Sequence, residues 1–194
     1  MSDVDENPFA SRYVRPGATP YVFEHGHDVE SVIARFETAG RRGQIVGPHG
    51  SGKSTLLASI AKMYRERVVE VRLLELHDGQ RQLPPDVRPP IKGVLLVDGY
   101  EQLGWPAKLR LEWLRRRSKC GLLVTVHKPH RLPTVYSTAV GLKLAQRLAE
   151  DRLAASNNPT AISPAEIRAV FEAEHGNLRE VFFRLYDLYE SRRS

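Results

Sequence analysis

This chain of 194 residues contains very little cysteine and no long apolar run. The one cysteine, Cys120, excludes an internal disulfide and fits a reducing compartment. No apolar stretch approaches the roughly 18 residues of a membrane-spanning helix, so we expect no membrane span. The first ten residues carry Asp3, Asp5 and Glu6, whereas a signal or transit peptide begins with positive charge. We therefore expect a cytoplasmic protein.

The length and the charge of the chain limit its fold and its partners. A chain of this length holds one substantial domain, or one domain with a small appendage. Lys and Arg total 29 against 23 Asp and Glu, which gives a formal net charge of +6. This excess permits an acidic partner or nucleic acid as a ligand, but it does not by itself indicate either one.

A glycine-rich segment near residue 50 carries the most specific motif. It matches the phosphate-loop pattern G-x-x-x-x-G-K-[ST] at every fixed position. Residues 44–46 before it are typical of a buried strand, and Leu56, Leu57, Ile60 and Tyr64 after it repeat at helical spacing. Backbone N–H groups of such a loop and the start of the next helix bind phosphate, so we expect a nucleoside triphosphate ligand. The residues expected to contact it are Gly47, Pro48, His49, Gly50, Ser51, Gly52, Lys53, Ser54 and Thr55.

Two side chains of the loop and one distant carboxylate have specific expected roles. Lys53 is expected to reach the β- and γ-phosphates, and the Ser54 hydroxyl is expected to bind Mg²⁺. Residues 93–98 form an apolar run that ends in Asp98, which is typical of a buried parallel strand. Because α/β sheets bind ligands at the carboxyl ends of their strands, Asp98 is the expected second Mg²⁺ ligand.

The alternation of apolar runs and helical patterns predicts an α/β fold with a parallel sheet. The strands are expected at residues 44–46, 68–74, 93–98, 122–126 and 134–138. Asp28 is expected to cap the first helix, a capping box at residues 163–166 the penultimate one, and Asn177 the last one. The predicted domains are an extended arm at 1–27, a nucleotide-binding domain at 28–156 and a small helical lid at 157–194.

One predicted helix, from Pro106 to about Lys119, is strongly basic. It contains six Lys or Arg residues and one acidic residue, Glu112, so its charge is 6 − 1 = +5. We expect Leu111, Leu114 and Trp113 to face the core. Nucleic-acid-binding surfaces usually combine several aromatic residues with basic ones, and here Trp113 is the one aromatic residue noted among the charges. The pattern therefore favours a basic face exposed to solvent, and nucleic-acid binding stays open.

Residues 44–127 resemble the P-loop NTPases that carry an extra strand between the phosphate-loop strand and the Asp98 strand. Within that class, the chain is similar to the AAA+ ATPases, especially secretion-type ones whose AAA module opens with a similar Asn-Pro-Phe arm. The resemblance rests on Asn7-Pro8-Phe9 with the helix that follows, on the polar residue ending the strand at 122–126, and on Gly176-Asn177-Leu178-Arg179-Glu180. The last segment matches the Gly-Asn-x-Arg-Glu of the AAA+ lid.

The resemblance implies that the nucleotide is ATP, and it agrees with the phosphate and metal roles given above. It further implies that Thr125 or His127 is the first sensor of the γ-phosphate and that Arg179 is the second. A protein partner or a homo-oligomer is compatible with this family.

One position departs from the family pattern. The family places Glu directly after the metal-binding Asp to orient the attacking water, and this chain has Gly99 there. The nearest substitute is Glu101, three residues beyond Asp98. Glu75, at the end of the second strand, is where recombinase-like ATPases carry their base. Because orienting water is a geometric task, we expect slow hydrolysis.

Three functions are therefore compatible with the sequence. The leading hypothesis is a slow, Mg²⁺-dependent ATPase that acts as a nucleotide switch. The second is an ATP-binding module that does not hydrolyse its ligand. The third is a small-molecule or nucleotide kinase, although the region at 75–92, where such kinases insert an acceptor site, is short and broken by prolines.

Overall fold

A computed structural model describes residues 7–14, 17, 19–23, 26–156, 158 and 160–192. The described residues form two compact units. One, the sheet unit, comprises residues 21–47 and 53–138, and the other, the helical unit, comprises those of 1–20, 48–52 and 139–194. Parts of the predicted N-terminal arm and of the linker near residue 157 lie outside the described residues, and the predicted domain boundaries stay a prediction.

The sheet unit is built on five parallel strands in the order β2-β3-β4-β1-β5. The strands are β1 (Arg42–Val46), β2 (Val71–Glu75), β3 (Val94–Asp98), β4 (Gly121–Val126) and β5 (Thr134–Ser137). The all-parallel sheet confirms the predicted α/β class. Strand β4 lies between β1 and β3, which is the strand order that the resemblance implies.

Helices cover both faces of this sheet because the side chains of a strand alternate between its faces. The helices are α2 (Val29–Thr38), α3 (Lys53–Glu66) and α4 (Trp105–Ser118), and a 3-10 helix spans Tyr100–Gln102. Val94 and Leu96 of β3 pack in the core with α2 and α3, whereas Leu95 and Val97 pack in the core with α4. Asp28 caps α2 as predicted, since its carboxylate accepts a hydrogen bond from the Ser31 amide at 2.7 Å.

The predicted start of β2 is wrong by three residues. Val68 was expected in the strand, but it has a positive φ of 58° and is almost fully exposed. The next amide, that of Val69, donates to the Tyr64 carbonyl at 2.9 Å. These residues therefore end α3, and the β-branched run at 68–69 is used in a turn.

The expected orientation of Trp113 is also wrong. Leu111 is fully buried and Leu114 is partly buried, as predicted, but Trp113 is 57% exposed. Two residues along an α-helix correspond to a rotation of about 200°, so Leu111 and Trp113 cannot both face the sheet. The outward face of α4 therefore carries an aromatic side chain.

The helical unit has its own core. Its helices are α1 (Ser11–Val14), α5 (Leu142–Ala154), α6 (Pro164–Ala173) and α7 (Leu178–Ser191). Phe9 is fully buried among them, with its ring centroid 5.9 Å from that of Phe182. The predicted capping box of α6 is present, with Ser163 and Glu166 each accepting a hydrogen bond from the other's amide. Helix α1 lies within a segment that was predicted to be extended.

Within the described ranges, no helix combines the length and the apolar character that crossing a bilayer requires.

Candidate functional site

The candidate site of the sheet unit lies where strands β1, β3 and β4 end. Gly47 directly follows β1, Asp98 is the last residue of β3, and His127 directly follows β4. The Gly47 amide donates to the Val126 carbonyl at 3.1 Å, and this hydrogen bond keeps the end of β1 beside the end of β4. Parallel strands present their carboxyl ends at one edge, and this edge is where α/β proteins bind ligands.

Lys53, the first residue of α3, supplies a buried cation at this edge. Its Nζ donates to the Gly47 carbonyl at 2.7 Å. Burial lowers the pKa of Lys53, and the carboxylates of Glu101 and Asp98 partly oppose this by favouring the charged amine. Lys53 therefore lies within electrostatic reach of both carboxylates. Ser54 and Thr55, the next residues of the motif, are half-buried in the first turn of α3.

Thr125 links the ends of two strands. Its hydroxyl donates a short hydrogen bond to Asp98 Oδ1 and accepts one from the Gly99 amide at 2.9 Å. Because a hydroxyl has only one proton to donate, Thr125 in this arrangement holds Asp98 and does not donate elsewhere. Of the two sensors left open by the resemblance, His127 is the one with an accessible side chain, and the sensor role itself stays a prediction.

The backbone at Gly99 explains the absence of Glu after Asp98. Gly99 has a φ of 77°, a region that side-chain-bearing residues rarely adopt. A Cβ at this position would also lie 2.9 Å from the carbonyl oxygen of Leu76. A glutamate therefore does not fit here, and any carboxylate that orients water must come from another position.

Glu101, in the 3-10 helix after β3, is a carboxylate on the same connection as Asp98. Its Oε1 lies 2.7 Å from His127 Nδ1. Its Oε2 is buried and has no hydrogen-bond partner among the described residues. Glu101 raises the pKa of Lys53, so it acts electrostatically on the same cation as Asp98. An unpaired carboxylate oxygen near a lysine can accept a proton from a bound water.

Two further titratable side chains, Lys108 and His130, lie within electrostatic reach of Glu101. Burial lowers the pKa of Lys108, and Glu101 opposes this shift. Burial also lowers the pKa of His130, whose ring lies 6.0 Å from that of Tyr100. Lys108 is one of the six basic residues of the predicted helix. Its Nζ lies 4.9 Å from the Tyr100 ring centroid and close to Glu101.

A buried glutamine fixes the loop that carries His127 and His130. The Gln44 side chain donates to the Leu132 carbonyl at 2.8 Å and accepts from the His130 amide at 2.9 Å. Gln44 is almost fully buried in β1, where an apolar residue is the usual choice. A polar residue in a predicted buried strand is the signal that could have identified this contact.

The middle of the glycine-rich segment, residues 48–52, belongs to the helical unit. The Ser51 hydroxyl donates to the Pro48 carbonyl at 2.8 Å, and Gly50 has a φ of 67°. A Cβ on Gly50 would lie 1.9 Å from Asn177 Oδ1 and 3.0 Å from the Leu178 amide nitrogen. Only glycine therefore allows the loop to pack this closely against the start of α7.

Asn177 is at the N-cap position of α7, as predicted, but its side chain makes no capping hydrogen bond. Its Oδ1 is buried and has no hydrogen-bond partner in the described part of the chain. The close contact with Gly50 accounts for this, since the side chain lies against the loop. The predicted capping hydrogen bond is therefore wrong, and the Asn177 side chain makes a packing contact instead.

Arg179 lies exposed in the first turn of α7, with its guanidinium 5.7 Å from the Phe183 ring centroid. Two acidic residues that could have neutralised it pair with other arginines. Glu174 pairs with Arg184 at 2.9 Å, and Asp151 pairs with Arg147 at 4.0 Å. Within the described residues, no ion pair involves Arg179, and its sensing role stays a prediction.

The remaining sequence candidates are Glu75 and the metal ligands. Glu75 ends β2, is exposed, and lies opposite Asp98 in the strand register. Among the residues that the structure describes, no three His, Cys, Asp or Glu side chains are arranged as a metal site. The predicted Mg²⁺ site consists of one carboxylate, Asp98, and one hydroxyl, Ser54. A search for three such side chains therefore does not test it.

The contact between Gly50 and Asn177 gives a stability prediction. We expect Gly50→Ala to lower the free energy of unfolding by about 1 kcal/mol for the positive φ and by about 1–3 kcal/mol more for the overlap with Asn177. Urea denaturation of the purified variants measures both effects. Removing the Asn177 side chain in the same protein should restore the second contribution only.

Gly79 provides the matched control. It has a φ of 82°, and nothing lies within 4 Å of the position of its Cβ. Gly79→Ala should therefore show the backbone cost alone, of about 1 kcal/mol. Equal destabilisation by the two glycine substitutions, or no coupling between Gly50→Ala and Asn177→Ala, would contradict the contact.

No family model matches the chain, and no curated protein is significantly similar to it in sequence. The function is therefore inferred from the residues and their contacts.

Proposed function

We propose that this protein binds ATP together with Mg²⁺ through an AAA+-like phosphate loop and hydrolyses it slowly as a nucleotide switch. The observation that carries the proposal is Lys53. It is a buried cation at the carboxyl edge of a parallel sheet, in the first turn of α3, within electrostatic reach of Asp98 and Glu101. A cation and two carboxylates in this position suit a phosphate chain with its metal ion.

Lys53 would bind the phosphates by exchanging its hydrogen bond to the Gly47 carbonyl for one to a phosphate oxygen. Its Nζ donates to the neutral Gly47 carbonyl, and a phosphate oxygen is a stronger, charge-assisted acceptor. Because Lys53 is buried, its attraction to a phosphate is screened less than that of a surface lysine.

Ser54 and Asp98 would hold the Mg²⁺. When bound, the ion neutralises charge on the β- and γ-phosphates. Thr125 occupies Asp98 Oδ1, whereas Oδ2 accepts no hydrogen bond from the residues that the structure describes. Asp98 is thus held in one orientation with one oxygen left for a cation.

Glu101 is the residue we assign to hydrolysis. A water oxygen would bond to the γ-phosphorus, the bond from phosphorus to the bridging oxygen would break, and ADP would leave with the electron pair. Glu101 would take the proton of the water on Oε2, which has no partner among the described residues. The close contact of His127 with Oε1 would hold the carboxylate, so we assign His127 as a positioning residue.

A module that binds ATP without hydrolysing it is the second candidate, and Gly99 favours it. The backbone there excludes the glutamate that the AAA+ family uses, and Glu101 has to act from three residues beyond Asp98. No comparable observation favours a kinase. The connection between β2 and β3, where such enzymes carry an acceptor site, buries Leu76, Leu83 and Val87.

Equilibrium dialysis with radiolabelled ATP tests the proposal directly. We expect one ATP to bind per chain in the presence of Mg²⁺. Chelation of the metal should weaken the binding strongly, because Ser54 and Asp98 would act on the nucleotide by holding the ion. Absence of ATP binding at millimolar concentration would overturn the proposal. Binding that is indifferent to Mg²⁺ would contradict the roles of Ser54 and Asp98.

The sensing role of Arg179, a protein partner or homo-oligomer, and the cytoplasmic location stay predictions from the sequence.

A further inference from the structure

Both tryptophans of the chain lie on the outward face of α4. Trp105 is 71% exposed, and Leu109 and Trp113 are each 57% exposed. Residues four apart lie on the same side of a helix, so these three side chains form one stripe. Isolated exposed apolar residues are common, but a contiguous exposed stripe with two tryptophans indicates a binding surface.

Exposed arginines flank this stripe. Arg110, Arg116 and Arg117 lie on the outward side of the same helix, and we call them, with Trp105, Leu109 and Trp113, the tryptophan face. The Arg117 guanidinium lies 5.6 Å from the Trp113 ring centroid. The face therefore combines aromatic rings with delocalised cations.

The acidic residue of α4 does not neutralise this face. Glu112 accepts from Arg115 at 2.7 Å and from Arg116 at 3.0 Å, and lies 3.6 Å from Arg42. Three cations thus share one carboxylate, and this group keeps a net positive charge. In the described part of the chain, no carboxylate pairs with Arg110 or Arg117. An acidic occupant therefore complements the tryptophan face.

We propose that the tryptophan face binds single-stranded nucleic acid. Proteins that bind single strands combine cations, which contact the phosphates, with aromatic side chains, on which bases stack. Eight residues of helix separate Trp105 and Trp113 by about 12 Å along the axis, so each ring can stack on a different base. A second copy of this chain is a poor occupant, because two such faces would bring like charges together.

Single strands fit this face better than a duplex or an acidic protein. In a duplex the bases are already stacked on each other, so only the arginines would find partners. A groove in an acidic protein could accept the stripe, but flanking guanidiniums and two separated indoles match repeating phosphates and bases more closely. The inference does not depend on ATP binding, and the residues involved are separate from Lys53, Asp98 and Glu101.

Tryptophan fluorescence tests this inference directly, because the chain has only two tryptophans and both belong to the face. We expect a 20-nucleotide oligothymidylate to quench the emission of the full-length protein at 50 mM salt, with saturation. For about three neutralised phosphates, the affinity should fall roughly 20-fold between 50 and 200 mM salt. The same titration with oligouridylate shows whether the strand is read as DNA or RNA.

Variants identify the side chains, with the anisotropy of a labelled oligonucleotide as the readout. The double substitution Trp105→Ala with Trp113→Ala should raise the Kd by about 10- to 100-fold. Phe at both positions should restore most of the affinity, since Phe also stacks on bases. Arg110→Glu with Arg117→Glu should weaken binding at least as much.

Arg35→Glu with Arg65→Glu is the matched control, because it changes the net charge equally on α2 and α3, which pack on the other face of the sheet. The control pair should bind nearly as well as the wild type. Equal loss in both charge variants, quenching by polyglutamate as strong as by the oligonucleotide, tighter binding of duplex, or absence of any binding would each overturn the inference.

Discussion

Mg-ATP at 100 times its dissociation constant should raise the melting temperature of the wild-type protein by about 5–10 °C, and Lys53→Ala should remove most of this rise. Such saturation stabilises the folded state by about 2.7 kcal/mol, and a chain of this size shifts by roughly 2–4 °C per kcal/mol. Lys53 is the buried lysine of the candidate site, so its loss would remove the principal charge proposed to face the phosphates. Thermal denaturation followed by circular dichroism measures both values.

Lys62 offers a control on the same helix. Its side chain is largely exposed, and it pairs with Glu66 at 3.9 Å, so Lys62→Ala should leave the ATP-dependent shift unchanged. The melting temperature without nucleotide must be recorded for both variants, because removing a buried lysine also changes the stability of the free protein. A wild-type protein that melts at the same temperature with and without Mg-ATP, or an undiminished shift in Lys53→Ala, would exclude the assigned role.

The fold class could be predicted because local patterns and tertiary structure agree over most of the sheet unit. The apolar run ending at Asp98 is a buried parallel strand, and the capping residue Asp28 begins α2 as expected. The sequence predictions fail where a residue type is compatible with two different environments. Val68 has a high strand propensity but lies in a turn after α3, and Trp113 is apolar but faces outward. Propensity alone does not distinguish these cases.

The contacts of the candidate site were much less predictable than its motif. The glycine-rich motif is recognisable because its residues are contiguous in the sequence. The pairing of Glu101 with His127 joins residues 26 positions apart, and Gly50 meets Asn177 across more than a hundred residues. Nothing local indicates such pairs, since they depend on how the strand ends and helices pack. The backbone at Gly99, which excludes a side chain, was likewise visible only in the structure.

Glu101→Gln should lower the rate of ATP hydrolysis by about 10²- to 10⁴-fold while leaving ATP binding intact. Glutamine has the same size and can keep the contact with His127, but its amide cannot take a proton from water. Glu101 also raises the pKa of Lys53, so in the variant Lys53 should lose its proton at a lower pH. Affinity is therefore measured by equilibrium dialysis and turnover by phosphate release at saturating Mg-ATP, each at several pH values for both proteins.

Glu75→Gln is the informative comparison, because Glu75 lies at the end of the strand beside Asp98 and is the other carboxylate that could orient water. If Glu101 is the base, Glu75→Gln should hydrolyse ATP at nearly the wild-type rate, since its side chain is exposed and the structure describes no hydrogen bond from it to another site residue. If Glu75→Gln loses activity and Glu101→Gln does not, the catalytic base is Glu75 at the end of β2. A wild-type protein that binds ATP but releases no phosphate above background would instead favour the non-hydrolysing module, in which Glu101 serves to hold His127 and to keep Lys53 charged.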